Sequence, residues 1–430
     1  MNLASPSGKG RSSTARLAGI VQLAVVAFFT YASIFAFRKP FTVALFEGSG
    51  VGGMSYQTLL IVSQVVGYML SKFYGIRFIA ELGRIGRWRT SLYLLLTAWV
   101  SLLLFALLPA PWGALCMLLN GFVLGFMWGI VFSYVEGRRA TDFLGVVLAV
   151  SFIFAGGFSR SVGKWVMEYG GVNEYWMPFA TASLFAGPLL LFYYFLERTP
   201  EPDAADRAAR TIRQPMRRQE RMAFLREFGG GVITFVLIYL LLTILRDLRD
   251  NYMANMWKEL GYGAQSAVFA RTETITSLVV LALIGTLVLV RSNIHAFRLI
   301  HLLLLLGFAL AGGCSFLFRQ GLVPGMVWMQ LSGLGLYLSY VLFNSVYFER
   351  LLATFRIAGN VGFLIYIADA WGYLGSISIM LGKEWLRVSQ GWVPFYAELA
   401  QYLCLAGVLL TACSFFYFRH KYRKANDNRF

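Results

Sequence analysis

The stretch YASIFAFRKPFTVALF, residues 31–46, is apolar and aromatic except for Arg38 and Lys39, which stand side by side in its middle. It ends an apolar run that begins near residue 17. About 20 apolar residues are enough to cross the ~30 Å hydrocarbon core of a bilayer as a helix. Charges within such a run are costly unless they are paired or face a cavity. The stretch therefore predicts a membrane span that carries a functional site.

Apolar runs of this kind recur along the whole chain. Of the 430 residues, 58% are hydrophobic and only 14% are charged, whereas soluble proteins average about 25% charged residues. Since only helices and closed barrels satisfy their backbone in lipid, runs of this length are helical. We predict an all-α membrane protein with twelve transmembrane helices, near residues 17–46, 54–76, 90–109, 113–135, 143–167, 177–196, 230–257, 266–290, 297–318, 323–348, 357–382 and 394–418.

The longest polar segment divides these spans into two groups of six. It predicts an N-terminal six-helix bundle (1–196), a cytoplasmic central loop (197–228) and a C-terminal six-helix bundle (229–430). Two bundles that rock about a site at the bilayer midplane are typical of alternating-access transporters, and this arrangement favours the major facilitator fold.

The charge distribution predicts the orientation. Lys and Arg number 38 against 21 Asp and Glu, a formal net charge of +17. Most basic residues lie in the tails and in the loops on the same side as the tails, which the positive-inside rule places in the cytoplasm. We therefore expect a multi-pass protein of the inner (plasma) membrane with both termini in the cytoplasm. We further expect it to be a monomer that binds lipid and a small anionic solute, and not nucleic acid. No metal-ligand cluster or nucleophile–base pair is evident, so neither a cofactor nor enzymatic activity is expected.

Charged residues inside the predicted spans are the candidate functional residues. Arg271 and Glu273 begin the eighth span and are expected at the interface. Arg160 and Lys164 either contact substrate or extend to the headgroups, and Lys72 lies near a helix end, where such extension is common. The full set comprises the cations Arg38, Lys39, Lys72, Arg160, Lys164, Arg246, Arg249 and Arg271 and the acids Asp247, Asp250, Glu273 and Asp369.

The first and seventh spans share a spacing. Tyr31 precedes Arg38 by seven residues, and Tyr239 precedes Arg246 by seven, which is about two helical turns. Two arginines from equivalent helices predict an anion clamp, because guanidinium groups bind two oxygens at once. In the alternative, Arg246 pairs with Asp250 and Arg38 with Asp369. Asp247 and Asp250 fit as counter-ions of the empty site or as proton carriers.

Four stretches resemble the organophosphate:phosphate antiporter family of the major facilitator superfamily: YASIFAFRKPF, GYMLSKFYG, YLLLTILRD and AGNVGFLIYIADAWGYLGS. The resemblance implies that Arg38 and Arg246 bind the substrate phosphate, with Lys72 as an auxiliary cation. It also implies exchange with inorganic phosphate. A salt-bridge network of that family is matched by Lys39, Asp250 and Glu273, with Asp250 one residue out of phase.

The departures indicate a divergent relative. A fifth-span histidine of that family is absent, and SFIFAGGFSRSVGKW offers Arg160 and Lys164 nearby. RDLRD, which contains Arg249, carries more charge than the family pattern. The leading hypothesis is a secondary transporter of a small organic anion, with an organophosphate exchanged for phosphate as its specific form. The alternatives are a proton-coupled carrier of a sugar, peptide or drug that uses Asp247, Asp250 or Asp369, and a transporter-like membrane sensor.

Overall fold

The computed structural model describes residues 13–47, 50–81, 84–203, 206, 218–357 and 361–427. The chain is helical nearly throughout, apart from a short antiparallel hairpin of β1 (Gly50–Val51) and β2 (Met54–Ser55). The helices are α1 (Ser13–Phe35), α2 (Tyr56–Glu81), α3 (Arg84–Leu107), α4 (Gly113–Gly125), α5 (Met127–Val135), α6 (Thr141–Glu168), α7 (Met177–Glu197), α8 (Arg218–Asn251), α9 (Met253–Glu259), α10 (Ala267–Val288), α11 (Asn293–Arg319), α12 (Gly325–Leu342), α13 (Phe348–Phe355), α14 (Val361–Trp385) and α15 (Trp392–Asp427).

Helices lie at all of the predicted span positions. Within the described ranges, ten helical segments are long and apolar enough to cross a membrane. The two remaining positions hold α2 and α14, of 26 and 25 residues. Residues 204–205, 207–217 and 358–360, in the predicted central loop and the AGN stretch, lie outside the described residues. The chain is thus an integral, multi-pass helical membrane protein.

The predicted first span is wrong at its C-terminal end. The α-helix stops at Phe35, and a turn carries Arg38 and Lys39 before a 3₁₀ helix begins at Pro40. Proline lacks an N–H and disfavours helical backbone in the residue before it, so a helix usually ends there. Arg38 therefore lies on a break in the helix.

Two buried amides satisfy the backbone of this break. Gln64 Nε2 donates to the carbonyl of Arg38 at 3.0 Å, and Asn120 Nδ2 donates to the carbonyl of Phe37 at 3.2 Å. Gln64 Nε2 also donates to Asn120 Oδ1 at 2.9 Å, which joins the two side chains. Non-helical backbone at membrane depth is tolerated only where protein or water satisfies it. The sequence pattern did not reveal these amides.

Other spans are interrupted as well. The fourth is divided into α4 and α5 at Phe126, α8 is kinked at Phe228, and a π-helix (Phe343–Tyr347) separates α12 from α13. Such π-turns occur frequently at functional sites. The break that follows α8, at Tyr252, again lies close to intramembrane charges.

We call residues 13–203 the first half and residues 218–427 the second half. The halves meet along α6 and α10, where Ser161 Oγ donates to the carbonyl of Ser266 at 2.5 Å and accepts from the N–H of Ala270 at 2.9 Å. They meet again along α2 and α14, where the rings of Tyr68 and Tyr373 are 5.7 Å apart. Tyr68 and Tyr373 also line a cavity whose wall is formed by residues of both halves.

Helices α2 and α4 approach each other through glycines. A Cβ built on Gly67 would lie 2.0 Å from the carbonyl oxygen of Leu118, and one on Gly121 would lie 2.0 Å from that of Gln64. Small residues allow this kind of backbone contact between membrane helices. Because Gln64 also supports the break after α1, the glycine contact positions Arg38 indirectly.

Gly121→Ala is therefore expected to destabilise the fold, because α2 and α4 must separate to accept the methyl group. Overpacking of a tight interior costs about 1–3 kcal/mol. The measurement is the thermal unfolding midpoint of purified protein in detergent. Gly187→Ala is the matched control, since a Cβ there meets nothing within 4 Å; equal midpoints for the two variants would contradict the prediction.

Candidate functional site

The cavity between the halves contains the charged residues singled out in the sequence. Its volume is about 70 Å³, several times the roughly 10–15 Å³ that one water molecule requires. Its charged lining residues are Arg38, Lys39, Arg246, Asp247 and Asp250. Aromatic rings and one amide complete the wall: Tyr31, Phe35, Tyr68, Trp128, Phe152, Tyr337, Tyr340, Tyr373 and Asn344.

Arg38 contributes a cation to the cavity from the first half. Its Cζ lies 3.9 Å from the centroid of the Tyr68 ring, a cation–π contact. Within the described residues the guanidinium forms no salt bridge, and its buried Nε has no hydrogen-bond partner. The pairing with Asp369 that the sequence left open is not present. Arg38 therefore keeps donors that a ligand can use.

Arg246 contributes a cation from the second half. Its Nε and Nη2 donate to the same oxygen of Asp247, Oδ1, at 3.0 and 2.6 Å. Its Cζ lies 4.1 Å from the centroid of Tyr340. The alternative pairing with Asp250 is not found. The two predicted clamp arginines thus line one cavity, each against a tyrosine ring.

Asp250 connects the halves through two cations. Lys39 Nζ forms a close ion pair with Asp250 Oδ2 and donates to Asn251 Oδ1 at 2.9 Å. Arg160 Nη2 donates to Asp250 Oδ1 at 2.6 Å, and Arg160 Nε donates to Thr42 Oγ1 at 3.0 Å. The predicted pair of Lys39 and Asp250 is therefore present, with Arg160 as a third member.

Arg160 and Lys164, which the sequence assigned either to substrate contact or to the headgroups, lie in different environments. Arg160 is 1% exposed and is engaged by Asp250, so it neither extends to headgroups nor lines the cavity. Lys164, four residues further on, pairs with Glu168 at 3.3 Å on a partly exposed face. The ion pair of Arg160 with Asp250 was not predicted, because the sequence did not show which acid faces α6.

Glu273 corrects a second expectation. It is buried rather than interfacial, and its Oε1 accepts from Arg249 Nη2 at 2.8 Å. Arg249 also donates to the carbonyl of Met329 at 3.1 Å. Arg271, in contrast, is exposed. Glu273 therefore pairs within the second half instead of joining Lys39.

Lys72 and Asp369 face each other across the halves. Lys72 Nζ is 3.9 Å from Asp369 Oδ2 and 5.0 Å from the centroid of the Tyr68 ring. Asp369 Oδ1 accepts a hydrogen bond of 2.5 Å from the hydroxyl of Tyr239, which lies 3.2 Å from the hydroxyl of Tyr340. Tyr239 thus reaches the cavity through Tyr340, whereas Tyr31 lines it directly.

Apart from Tyr31, the aromatic residues of the wall were not predicted from the sequence. Tyr68 lies four residues before Lys72 in GYMLSKFYG, and Tyr373 lies four residues after Asp369 in ADAWGYLGS. Four residues is one helical turn, so each tyrosine shares a face with the charge. That spacing was the signal that could have revealed them. Trp128 and Phe152 carry no comparable signal in the sequence.

Cations outnumber acids around the cavity. Five cations, Arg38, Lys39, Lys72, Arg160 and Arg246, surround three carboxylates, those of Asp247, Asp250 and Asp369. The formal excess is two positive charges. In a site of low dielectric constant this excess favours an anion.

Comparison with known proteins agrees with the helical architecture. The chain is similar to the nucleoside transporter NupG, with a TM-score of 0.60, 14% sequence identity and coverage of 93% of this chain and 98% of NupG. It is similar to the human organic anion transporter MFSD10 (TETRAN), with a TM-score of 0.54, 14% identity and coverage of 93% and 99%. At this identity the likeness shows the fold, which is of the major facilitator type.

The sequence itself matches one family over most of its length. No curated protein matches the sequence. Residues 40–421 match a family of unknown function (DUF5690). This match includes every candidate site residue except Tyr31, Arg38 and Lys39. The chain therefore belongs to the DUF5690 family and has a fold of the major facilitator type.

Proposed function

We propose that this protein is a secondary active transporter of a small organic anion, an organophosphate that exchanges for inorganic phosphate. The observation that carries the proposal is the buried Nε of Arg38, which has no hydrogen-bond partner among the described residues, in a cavity that Arg246 also lines. A buried donor without a partner is costly, and a ligand that accepts from it removes the cost. The human neighbour MFSD10 is an organic anion transporter, which is compatible with this substrate class.

Phosphate suits the two arginines chemically. A guanidinium presents paired N–H groups in a planar fork that matches two oxygens of a phosphate or carboxylate. Arg38 and Arg246 come from opposite halves, so one anion can accept from both. Lys72, Tyr31 and Tyr239 are proposed to support this clamp at its edges.

Alternating access supplies the transport step. The cavity is lined by residues of both halves, and the contact of α2 with α14 through Tyr68 and Tyr373 forms part of its wall. In our proposal, residues 1–196 and 229–430 rock as two six-helix bundles joined by the cytoplasmic loop 197–228. The protein acts as a monomer in the plasma membrane, with both termini in the cytoplasm.

Phosphate is expected to stabilise the purified protein against heat, because a ligand that binds only the folded state raises the free energy of unfolding. At a concentration of 100 times its Kd the gain is about 2.7 kcal/mol. The measurement is the thermal unfolding midpoint with sodium phosphate or with choline chloride at equal ionic strength.

A positive shift with phosphate, absent in Arg38→Ala, supports the clamp. Equal shifts with chloride and phosphate would indicate a general salt effect and contradict the proposal. Counterflow of labelled phosphate into proteoliposomes then separates a transporter from a sensor, because a sensor binds the anion without exchanging it.

A further inference from the structure

Only one of the two carboxylate oxygens of Asp247 accepts hydrogen bonds from the described residues. Arg246 directs both of its hydrogen bonds to Oδ1, at 3.0 and 2.6 Å. The second oxygen, Oδ2, is buried and has no hydrogen-bond partner among the described residues. Asp247 is 5% exposed and lines the cavity. A buried carboxylate oxygen without a donor is a natural place for a proton.

The other two carboxylates of the site are held at both oxygens. Asp250 contacts Lys39 through Oδ2 and Arg160 through Oδ1. Asp369 accepts from Tyr239 through Oδ1 and lies 3.9 Å from Lys72 through Oδ2. Neither depends on Arg246, so an anion that binds Arg246 leaves their partners in place.

Asp247 occupies one of the edges through which Arg246 can bind an anion. The guanidinium has five N–H donors, and the edge formed by Nε and Nη2 is directed at Asp247 Oδ1. An anion that binds this edge takes both donors from Asp247. When the phosphate takes these donors, Asp247 remains buried beside a second negative charge. An ionised carboxylate in that position is expensive, and protonation removes the cost.

We infer that Asp247 is the proton-coupling residue of the proposed transporter, an inference that rests on the proposed anion-binding function. The anion displaces the carboxylate from Arg246, and Asp247 Oδ2 takes one proton from a hydronium ion of the solvent, which becomes a neutral water molecule as its O–H bond breaks. The site gains the charge of the anion and one positive charge. Each anion therefore crosses with a proton, and the reverse step returns the proton to water.

The groups that share the cavity with Asp247 determine its protonation together. Its own helix α8 supplies Arg246 and Asp250. The turn after α1 supplies Arg38 and Lys39, and the facing helices supply phenols, of which Tyr340 lies against Arg246. The full set is Arg38, Lys39, Tyr68, Arg246, Asp250, Tyr337, Tyr340 and Tyr373, with Tyr31 at the wall.

Asp247→Asn tests the inference in the purified full-length protein with inorganic phosphate as the probe. Isothermal titration calorimetry in buffers of different ionisation enthalpy gives the protons taken up per phosphate bound. We expect wild type to take up about one proton more than Asp247→Asn. The difference between the two excludes protons gained by phosphate itself. The variant should bind phosphate more tightly, on the order of tenfold, because the competing carboxylate is gone.

Two further variants complete the test. Asp247→Glu keeps a titratable carboxylate and should retain the proton uptake. Glu168→Gln removes a partly exposed carboxylate that pairs with Lys164 outside the cavity, and it should behave as wild type.

The outcomes separate this inference from the proposed function. Phosphate binding with equal proton uptake in wild type and Asp247→Asn overturns the coupling role and leaves the anion site intact. If neither protein binds phosphate, the proposed function fails and the inference fails with it. If Asp247→Asn does not fold, wild type alone decides: uptake of no proton at any pH between 5 and 8 overturns the inference.

Discussion

Arg38→Ala and Arg246→Ala are each expected to abolish phosphate exchange in proteoliposomes. Each substitution removes one side of the clamp, and the loss of one partner from a buried, hydrogen-bonded charge pair costs about 2–5 kcal/mol. That corresponds to a decrease in affinity of about 30-fold to several thousand-fold. The measurement is counterflow of labelled phosphate at a concentration that gives the wild-type protein half of its maximal rate.

Arg38→Lys and Arg246→Lys distinguish geometry from charge. Lysine keeps the positive charge but presents a point charge instead of a planar fork. We expect exchange to remain low in both lysine variants. The lysine at position 38 would also lose the planar contact with the ring of Tyr68, which lies 3.9 Å from Cζ of the arginine.

Two control variants test whether a loss of exchange is specific to the clamp. Arg319→Ala removes an exposed arginine that lies 3.9 Å from Glu398, far from the cavity wall, and should exchange normally. Arg246→Ala also leaves the buried Asp247 carboxylate without its partner, which can impair folding. The double variant Arg246→Ala, Asp247→Asn removes that unpaired charge, so a loss of exchange that persists in it is due to the loss of the anion-binding arginine. Wild-type exchange in either single alanine variant would refute the clamp.

Asp250→Ala is expected to be the most destabilising single substitution among the intramembrane acids. Lys39 and Arg160 both depend on this carboxylate, and Arg160 is 1% exposed. Removal of one partner from a buried ion pair typically costs about 3–5 kcal/mol, because the remaining charge is uncompensated. The measurement is the thermal unfolding midpoint of protein purified in detergent.

The matched control is Glu168→Ala, which removes a partly exposed partner of Lys164. Exposed pairs of this kind contribute about 0–1 kcal/mol. Equal unfolding midpoints for Asp250→Ala and Glu168→Ala would show that the three-residue cluster does not hold the halves together. The triple variant Lys39→Met, Arg160→Met and Asp250→Leu should recover part of the loss, because it removes all three charges together.

The sequence predicted the helices well and their interruptions poorly. Apolar runs are long, and lipid permits few alternatives to a helix, so the span positions follow directly. The break after Phe35 depends on Pro40 together with Gln64 and Asn120, which are distant in sequence. Hydropathy cannot show that three elements will support one turn of non-helical backbone.

The charged residues that line the candidate site were predicted from the sequence, and their pairings were predicted only in part. Arg38 and Arg246 were found through a shared spacing, and both line the cavity. The partners of Arg160 and Glu273 were missed, because pairing depends on which helices face each other. A count of charges in the spans shows that the cations require acidic partners. Only the packing of α6 against α8 and α10 shows which acid pairs with which cation.

The break after α1 gives two adjacent residues different mechanical roles. The carbonyl of Arg38 accepts from Gln64, and that of Phe37 accepts from Asn120, both in the first half. Lys39 instead contacts Asp250 and Asn251 in the second half. If the halves rock, Arg38 moves with the first half and its backbone keeps its hydrogen bond, whereas Lys39 must break its contacts with Asp250 and Asn251. Arg38 then keeps its position within the first half during opening, whereas the ion pair of Lys39 must break. The timing of opening can therefore change without any change in the residue that binds the anion.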